Sequence, residues 1–189
     1  GAGVELAGVC VTGMLPAVVL LDSGRNVLRP SIQQSDARCG AEVEAMKAAL
    51  DEAAYLGRTG QGLTQQLVAP KLQWLKRHEP DVYGRIAHVF GSYDFINMHL
   101  TGRLTVERNW ALEAGFVDLA DHHIADDLVA LSGLSAGVLP ALVASHEVIG
   151  AVTAEAAKLT GLPEGLPVFG GAADHIASAL AAGLTQAGD

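Results

Sequence analysis

Apolar and β-branched residues run almost unbroken over residues 4–12 and stop at Gly13, which predicts a buried strand. Residues 17–21 repeat the pattern and close on Asp22, Ser23 and Gly24, so the two runs read as a hairpin-like pair. Residues 27–32 predict a third, short strand interrupted by Pro30. The period then changes. Over residues 41–55, Val43, Met46, Leu50 and Ala54 recur at helical spacing with Glu and Lys between them, an amphipathic helix. Residues 57–62 follow as a glycine-rich loop.

Further helices are predicted over residues 69–78, with Pro70 in the first turn, and over 80–86 and 94–100. Short helical pieces are expected at 109–114, 126–131 and 136–143, then a longer helix at 151–160 closed by Gly161. Brief strands are expected at 89–90, 148–149 and 167–169, before a last helix at 174–182 rich in small residues. Strands alternating with helices argue for an α/β domain on a mixed sheet. The long, mainly helical middle, residues 41–143, is then an insertion or a helical face on that sheet. The 189 residues suffice for one domain with a single core.

Composition narrows the function classes. Half of the residues are hydrophobic and 17% are charged, which excludes a disordered chain. The net charge of −9 provides no basic stripe to track phosphates, and a nucleic-acid partner is not expected. The longest apolar run, residues 14–21, contains Pro16 and is too short to span a bilayer, so no membrane partner is expected either. Nothing at the start resembles a signal peptide, which makes the cytoplasm the default location. Cys10 and Cys39 lack metal-spaced partners and read as reduced thiols.

Three constellations carry chemistry. In the first, residues 167–169 run into Gly170 and Gly171, and Asp174 opens the helix that follows. Two glycines permit a sharp turn and the close approach of a ligand. A carboxylate at the C-terminal end of a strand lies where ligands gather in open α/β sheets. On spacing alone, Asp174 serves equally well as a helix cap. In the second, Asp36 and Arg38 share a loop before the long helix, where capping and an exposed ion pair are the simpler reading. In the third, Asp121, His122, His123, Asp126 and Asp127 offer metal-ligand types and hence a metal-dependent hydrolase using Asp121, His122 and Asp127. Adjacent histidines point to different sides, however, and a solvated acidic loop fits better. Trp74 and Trp110 fit core positions on helices.

Several phrases in order resemble the FGGY family of carbohydrate kinases. They are Arg29-Pro30-Ser31-Ile32 leading to Asp36-Ala37-Arg38, and Ala69-Pro70-Lys71-Leu72-Gln73-Trp74-Leu75 continuing to Arg77-His78-Glu79-Pro80. Ser92-Tyr93-Asp94-Phe95-Ile96, Leu100-Thr101-Gly102, Leu139-Pro140 with Val148-Ile149-Gly150, and the stretch from Gly161 to Asp174 complete the set. The resemblance implies a ribonuclease H-like, actin-like ATPase fold, and that the chain is part of the family's N-terminal, sugar-binding domain. It implies that the family's opening strands and its C-terminal ATP-binding domain lie outside residues 1–189.

The function so implied is ATP-dependent phosphorylation of a sugar or polyol hydroxyl, with Asp174 as general base. ATP and Mg2+ are the implied cofactors, bound largely outside this segment, with Gly170 and Gly171 as the cofactor contacts here and no metal ligand assigned. By position, Met14, Leu15, Gln34, Asp36, Arg38 and Gln66 are the candidate sugar-binding residues. A homodimer is the oligomer under consideration. Leu15 and Pro16 stand where xylulokinase-like members carry Met-His, and Gln34 where many carry Trp. The same altered positions motivate a second reading, a catalytically inactive actin-like ligand-binding or interaction module.

Overall fold

The computed structural model describes residue 3 and residues 5–186. Val4 therefore lies outside the described residues. The first strand, β1, spans Val9–Gly13, and residues 5–8 are not strand. β1 does not form a hairpin with the next run. It pairs in parallel with β9 (Pro167–Ala173), which pairs antiparallel with β8 (Val148–Ala151), giving a mixed three-stranded sheet in the order β1-β9-β8. β2 (Val19–Leu21) turns away and pairs antiparallel with β3 (His88–Phe90). The expected third strand reduces to two isolated bridges, Val18 to Ile32 and Leu21 to Val27.

The region between carries most of the helices. The stretch 41–55 is two helices, α1 (Gly40–Ala49) and α2 (Glu52–Thr59). Asp51 separates them because its carboxylate accepts the free N–H groups of Ala53 (2.9 Å) and Ala54 (3.0 Å) and starts a new helix. α2 runs through Gly57, so the glycine-rich loop shrinks to the residues after Thr59. α3 (Val68–His78), α4 (Pro80–Tyr83) and α5 (Ser92–Thr101) follow as the pattern predicted, α4 ending earlier.

Four short strands escaped the pattern. β4 (Thr105–Glu107) leads into α6 (Arg108–Glu113), and β5 (Val117–Asp118) pairs with β6 (His123–Ile124) ahead of α7 (Asp126–Ala130). The helix expected over 136–143 is a 3-10 turn at Ala136–Val138 followed by β7 (Ala141–Val143), parallel to β4. Pro140 removes an N–H that a continuing helix would require. α8 (Ala154–Thr160) starts later than predicted, after Thr153, whose hydroxyl accepts the Ala156 N–H at 3.2 Å. α9 (Asp174–Ala181) closes the described chain.

The main core joins β2, β3, α3, α5 and α6 through buried Leu20, Leu21, Leu72, Phe90, Tyr93 and Trp110. Trp110 donates from its indole N–H to the Ala17 carbonyl at 2.9 Å. A second cluster, including Leu100, Ile149, Leu166 and Val168, packs α5 against the three-stranded sheet. These packed layers fix the C-terminal ends of β1 and β9. Among the described residues no helix is long and apolar enough to cross a membrane.

Candidate active site

The two glycines do not turn the chain. β9 passes straight through them, and the strand carries a bulge there. Cys10 faces Phe169 and Thr12 faces Ala172, so Val11 alone stands opposite Gly170 and Gly171. Gly171 has a φ of +95°, and a Cβ on it would lie 2.5 Å from the Val11 carbonyl oxygen. A Cβ on Gly170 would strike the Ala144 carbonyl oxygen. Main-chain crowding on both sides explains the glycines. Their N–H groups are also committed, Gly170 to the Glu147 carbonyl (2.9 Å) and Gly171 to that of Ser145 (3.2 Å). Both amides are thus bonded within the protein.

Beyond the bulge, Ala173 faces Gly13 across the parallel pair. The next residues on the two strands are Asp174 and Met14, so both leave the sheet side by side at its C-terminal edge, where open α/β sheets bind ligands. Asp174 is the first residue of α9, and its side chain is 54% exposed. Its Oδ1 accepts the His175 N–H at 2.8 Å, and the His175 Nδ1 stands 3.7 Å away. Met14 is exposed beside it, whereas Leu15 is buried in the main core. Leu15 thus supports the loop from beneath, with little of its surface exposed.

The remaining candidates form a second group. Arg38 grips Asp36 with two parallel bonds, Nε to Oδ1 at 2.8 Å and Nη2 to Oδ2 at 2.7 Å. The arginine's hydrogen bond holds the Asp36 carboxyl below the usual carboxylate range. Arg38 also lies over the Trp74 ring, 4.8 Å from its centroid, and Trp74 stacks on His78 at 4.6 Å. Trp74 is therefore half-buried and in use as a platform, unlike the core tryptophan the helix pattern suggested. Glu79 ties Arg29 (3.1 Å) into the same cluster.

Two buried residues fasten this loop. Lys71 donates to the Gln33 and Gln34 carbonyls at 2.9 and 3.3 Å, and the Cys39 thiol reaches the Gln65 carbonyl at 3.7 Å. Gln34 and exposed Gln66 are thereby held on linked segments. Lys71 has no exposed surface, and its position among Val68, Leu72 and Leu75 on the apolar side of α3 is the signal that marks it in the sequence.

Asp121, His122 and Asp127 do not assemble. Arg58 binds Asp127 at 2.5 Å and Asp118 at 2.8 Å, and Asp121 accepts the His123 N–H within its own turn. Among the described residues no three His, Cys, Asp or Glu side chains converge on a metal position.

Residues 3–181 match the model of the FGGY family of carbohydrate kinases, N-terminal domain. The chain belongs to this family. It is 30% identical over 183 residues to the xylulose kinase of Escherichia coli (strain K12), covering 97% of this chain and 37% of that protein. It superposes on the crystal structure of xylulose kinase from Rhodospirillum rubrum with a TM-score of 0.97 and 63% identity, covering 100% of this chain and 40% of that one. The glycerol kinase of Plasmodium falciparum, with ADP, shares the fold at a TM-score of 0.83 and 17% identity. The chain thus spans about two-fifths of the length of these FGGY proteins, and its fold is that of their actin-like N-terminal domain.

Proposed function

We propose that the complete protein transfers the terminal phosphoryl group of ATP to a hydroxyl of a sugar, and that this segment supplies the sugar-binding side with Asp174 as general base. One observation carries the reading. An exposed carboxylate stands at the C-terminal edge of a parallel strand pair, just beyond a glycine bulge, with its side chain in contact with the adjoining His175. The Asp174 carboxylate takes the proton of the attacking hydroxyl while the oxygen bonds to the γ-phosphorus and the bond to ADP breaks. ATP supplies the electrophile. In this reading ATP and Mg2+ are bound largely outside this segment, with Gly170 and Gly171 as its points of approach to the nucleotide.

The xylulose kinases to which the chain is similar make a ketopentose the first substrate to test. Met14 beside Asp174, and Gln34, Asp36, Arg38 and Gln66 on their linked loops, are the residues proposed to recognise its hydroxyls. Gln34 and Leu15 with Pro16 are where the substrate preference is expected to depart from that of other members.

The test is phosphorylation of a panel of ketoses, aldoses and polyols by the complete protein with ATP, repeated with Asp174→Asn. Turnover with a ketopentose and a loss of about 10³-fold or more in kcat for the Asn variant are expected. An Asn variant with near-normal turnover overturns the assignment of the base. No turnover with any acceptor favours the inactive-module reading.

A further inference from the structure

The bulge is held from outside β9 by buried polar residues that the proposed chemistry does not use. A shift of one residue in register turns every later side chain to the opposite face of a strand. Whatever maintains the extra residue at Gly170 and Gly171 therefore decides which way Asp174 leaves the sheet. Asn97 of α5 is fully buried, and its Nδ2 donates to the Gly170 carbonyl at 2.8 Å. Its Oδ1 is buried with no hydrogen-bond partner. An unpaired buried amide oxygen lowers stability, so packing alone gives no reason for an asparagine here. The donated bond does.

Glu107 is the second support. It is fully buried, and the donors it meets are neutral. Its Oε2 accepts the Tyr93 hydroxyl (2.8 Å) and the Asn109 N–H (2.9 Å), and its Oε1 accepts the Ser145 hydroxyl (2.7 Å) and the Asn109 Nδ2 (3.0 Å). Ser145 in turn accepts the Gly171 N–H on its main-chain carbonyl. A chain of contacts thus runs from Glu107 through Ser145 to the second bulge residue, three positions before Asp174.

We propose that Asn97 and Glu107 are positioning residues for Asp174. Asn97 holds the bulge directly and Glu107 holds it through Ser145, in the register that presents the carboxylate to the sugar hydroxyl. The proposal rests on the reading of Asp174 as the base.

The experiment introduces Asn97→Ala, Glu107→Gln and Ser145→Ala into the complete protein, each alone and each together with Asp174→Asn. Circular dichroism and the thermal midpoint establish that each variant is folded. Ser145→Ala leaves Glu107 its Tyr93 and Asn109 bonds, and it carries the test of that arm if Glu107→Gln fails to fold. With Asp174 present, kcat should fall roughly tenfold or more while the sugar KM changes by less than about twofold, because a base displaced by a fraction of an ångström loses rate before affinity. With Asp174→Asn, the same changes should alter the residual rate by less than about twofold, there being no base left to misplace. Equal losses in both backgrounds mean that the residues serve stability alone and overturn the proposal. So does a folded Asn97→Ala and a folded Ser145→Ala with kcat near that of the parent. A near-normal rate for Asp174→Asn alone removes the base, and the positioning role with it.

Discussion

Lys71, which has no exposed surface, donates from its Nζ to the Gln33 main-chain carbonyl at 2.9 Å. Burial pushes the ammonium's pKa down from 10.5, yet its nearest bonds are to carbonyls, the second being Gln34 at 3.3 Å. It is held there as a clamp on the loop that carries Gln34, Asp36 and Arg38. Lys71→Met keeps the length of the side chain and deletes the donor. The two carbonyls lose a bond worth about 1.5–3 kcal/mol, while the desolvation cost of the ammonium disappears. The thermal midpoint should therefore move little, whereas the sugar KM rises about tenfold with kcat within about threefold. Steady-state kinetics beside a melting curve checks both halves.

Gly171 has a φ of +95°, and a Cβ there would lie 2.5 Å from the Val11 oxygen, a main-chain atom that cannot swing aside. Gly171→Ala should destabilise the complete protein by about 1–3 kcal/mol or more through overpacking and backbone strain. It should also reduce kcat more than a surface change of equal destabilisation. Urea unfolding followed by turnover measured well below the midpoint separates the two effects.

Alkaline pH acts through buried phenols. Burial pushes Tyr55 up to about 12 from 10.0, and Tyr93 shifts in the same direction for the same first cause. The folded chain keeps the Tyr55 proton where the unfolded chain loses it. This contribution is whole below pH 10 and is lost as pH rises from there through about 12. Near pH 11 the loss from Tyr55 should reach roughly 1 kcal/mol. Tyr55→Phe should remove that part of the alkaline slope and leave the part due to Tyr93. Denaturation midpoints at about pH 9 and about pH 11, for parent and variant, check the sign.

Asp51 starts α2 because one of its carboxylate oxygens accepts both the Ala53 and the Ala54 N–H. Asp51→Ala should cost about 1 kcal/mol. Asp51→Ser should recover most of it, which chemical denaturation will show.

That helix start also shows where the sequence misleads. Val43, Met46, Leu50 and Ala54 keep a helical period across the break, yet Ala54 is exposed and α2 buries Tyr55 and Thr59 instead. The period runs on where neither the axis nor the buried face does, and only Asp51 marks the interruption. Residues 136–143 failed for the opposite reason. The apolar run there fits helix or strand, and the parallel partner that settles it, β4, lies more than thirty residues earlier. The pairing of β1 with β9 spans most of the chain and left no local sign beyond a strand.

At the candidate site, the placement of Asp174 after a strand and before a helix was legible, since β-rich and small-residue runs meet there. The bulge was not. Two glycines predict a turn as readily as an extra residue in a ladder, and the difference depends on Val11 and Ala144, neither of which is near in sequence. Asn97 and Glu107 were equally hidden. Each looks like an ordinary polar residue until its burial is known.

Because main-chain crowding and hydrogen bonds at the bulge set the direction in which Asp174 emerges, the proposed base and the residues proposed to recognise the sugar stand on separable parts of the molecule. Under the proposed function, exchanges at Met14, Gln34 or Gln66 would reshape what is admitted without moving the group that acts on it. Such a division gives this scaffold room to change its diet while its machinery stays where the strand left it.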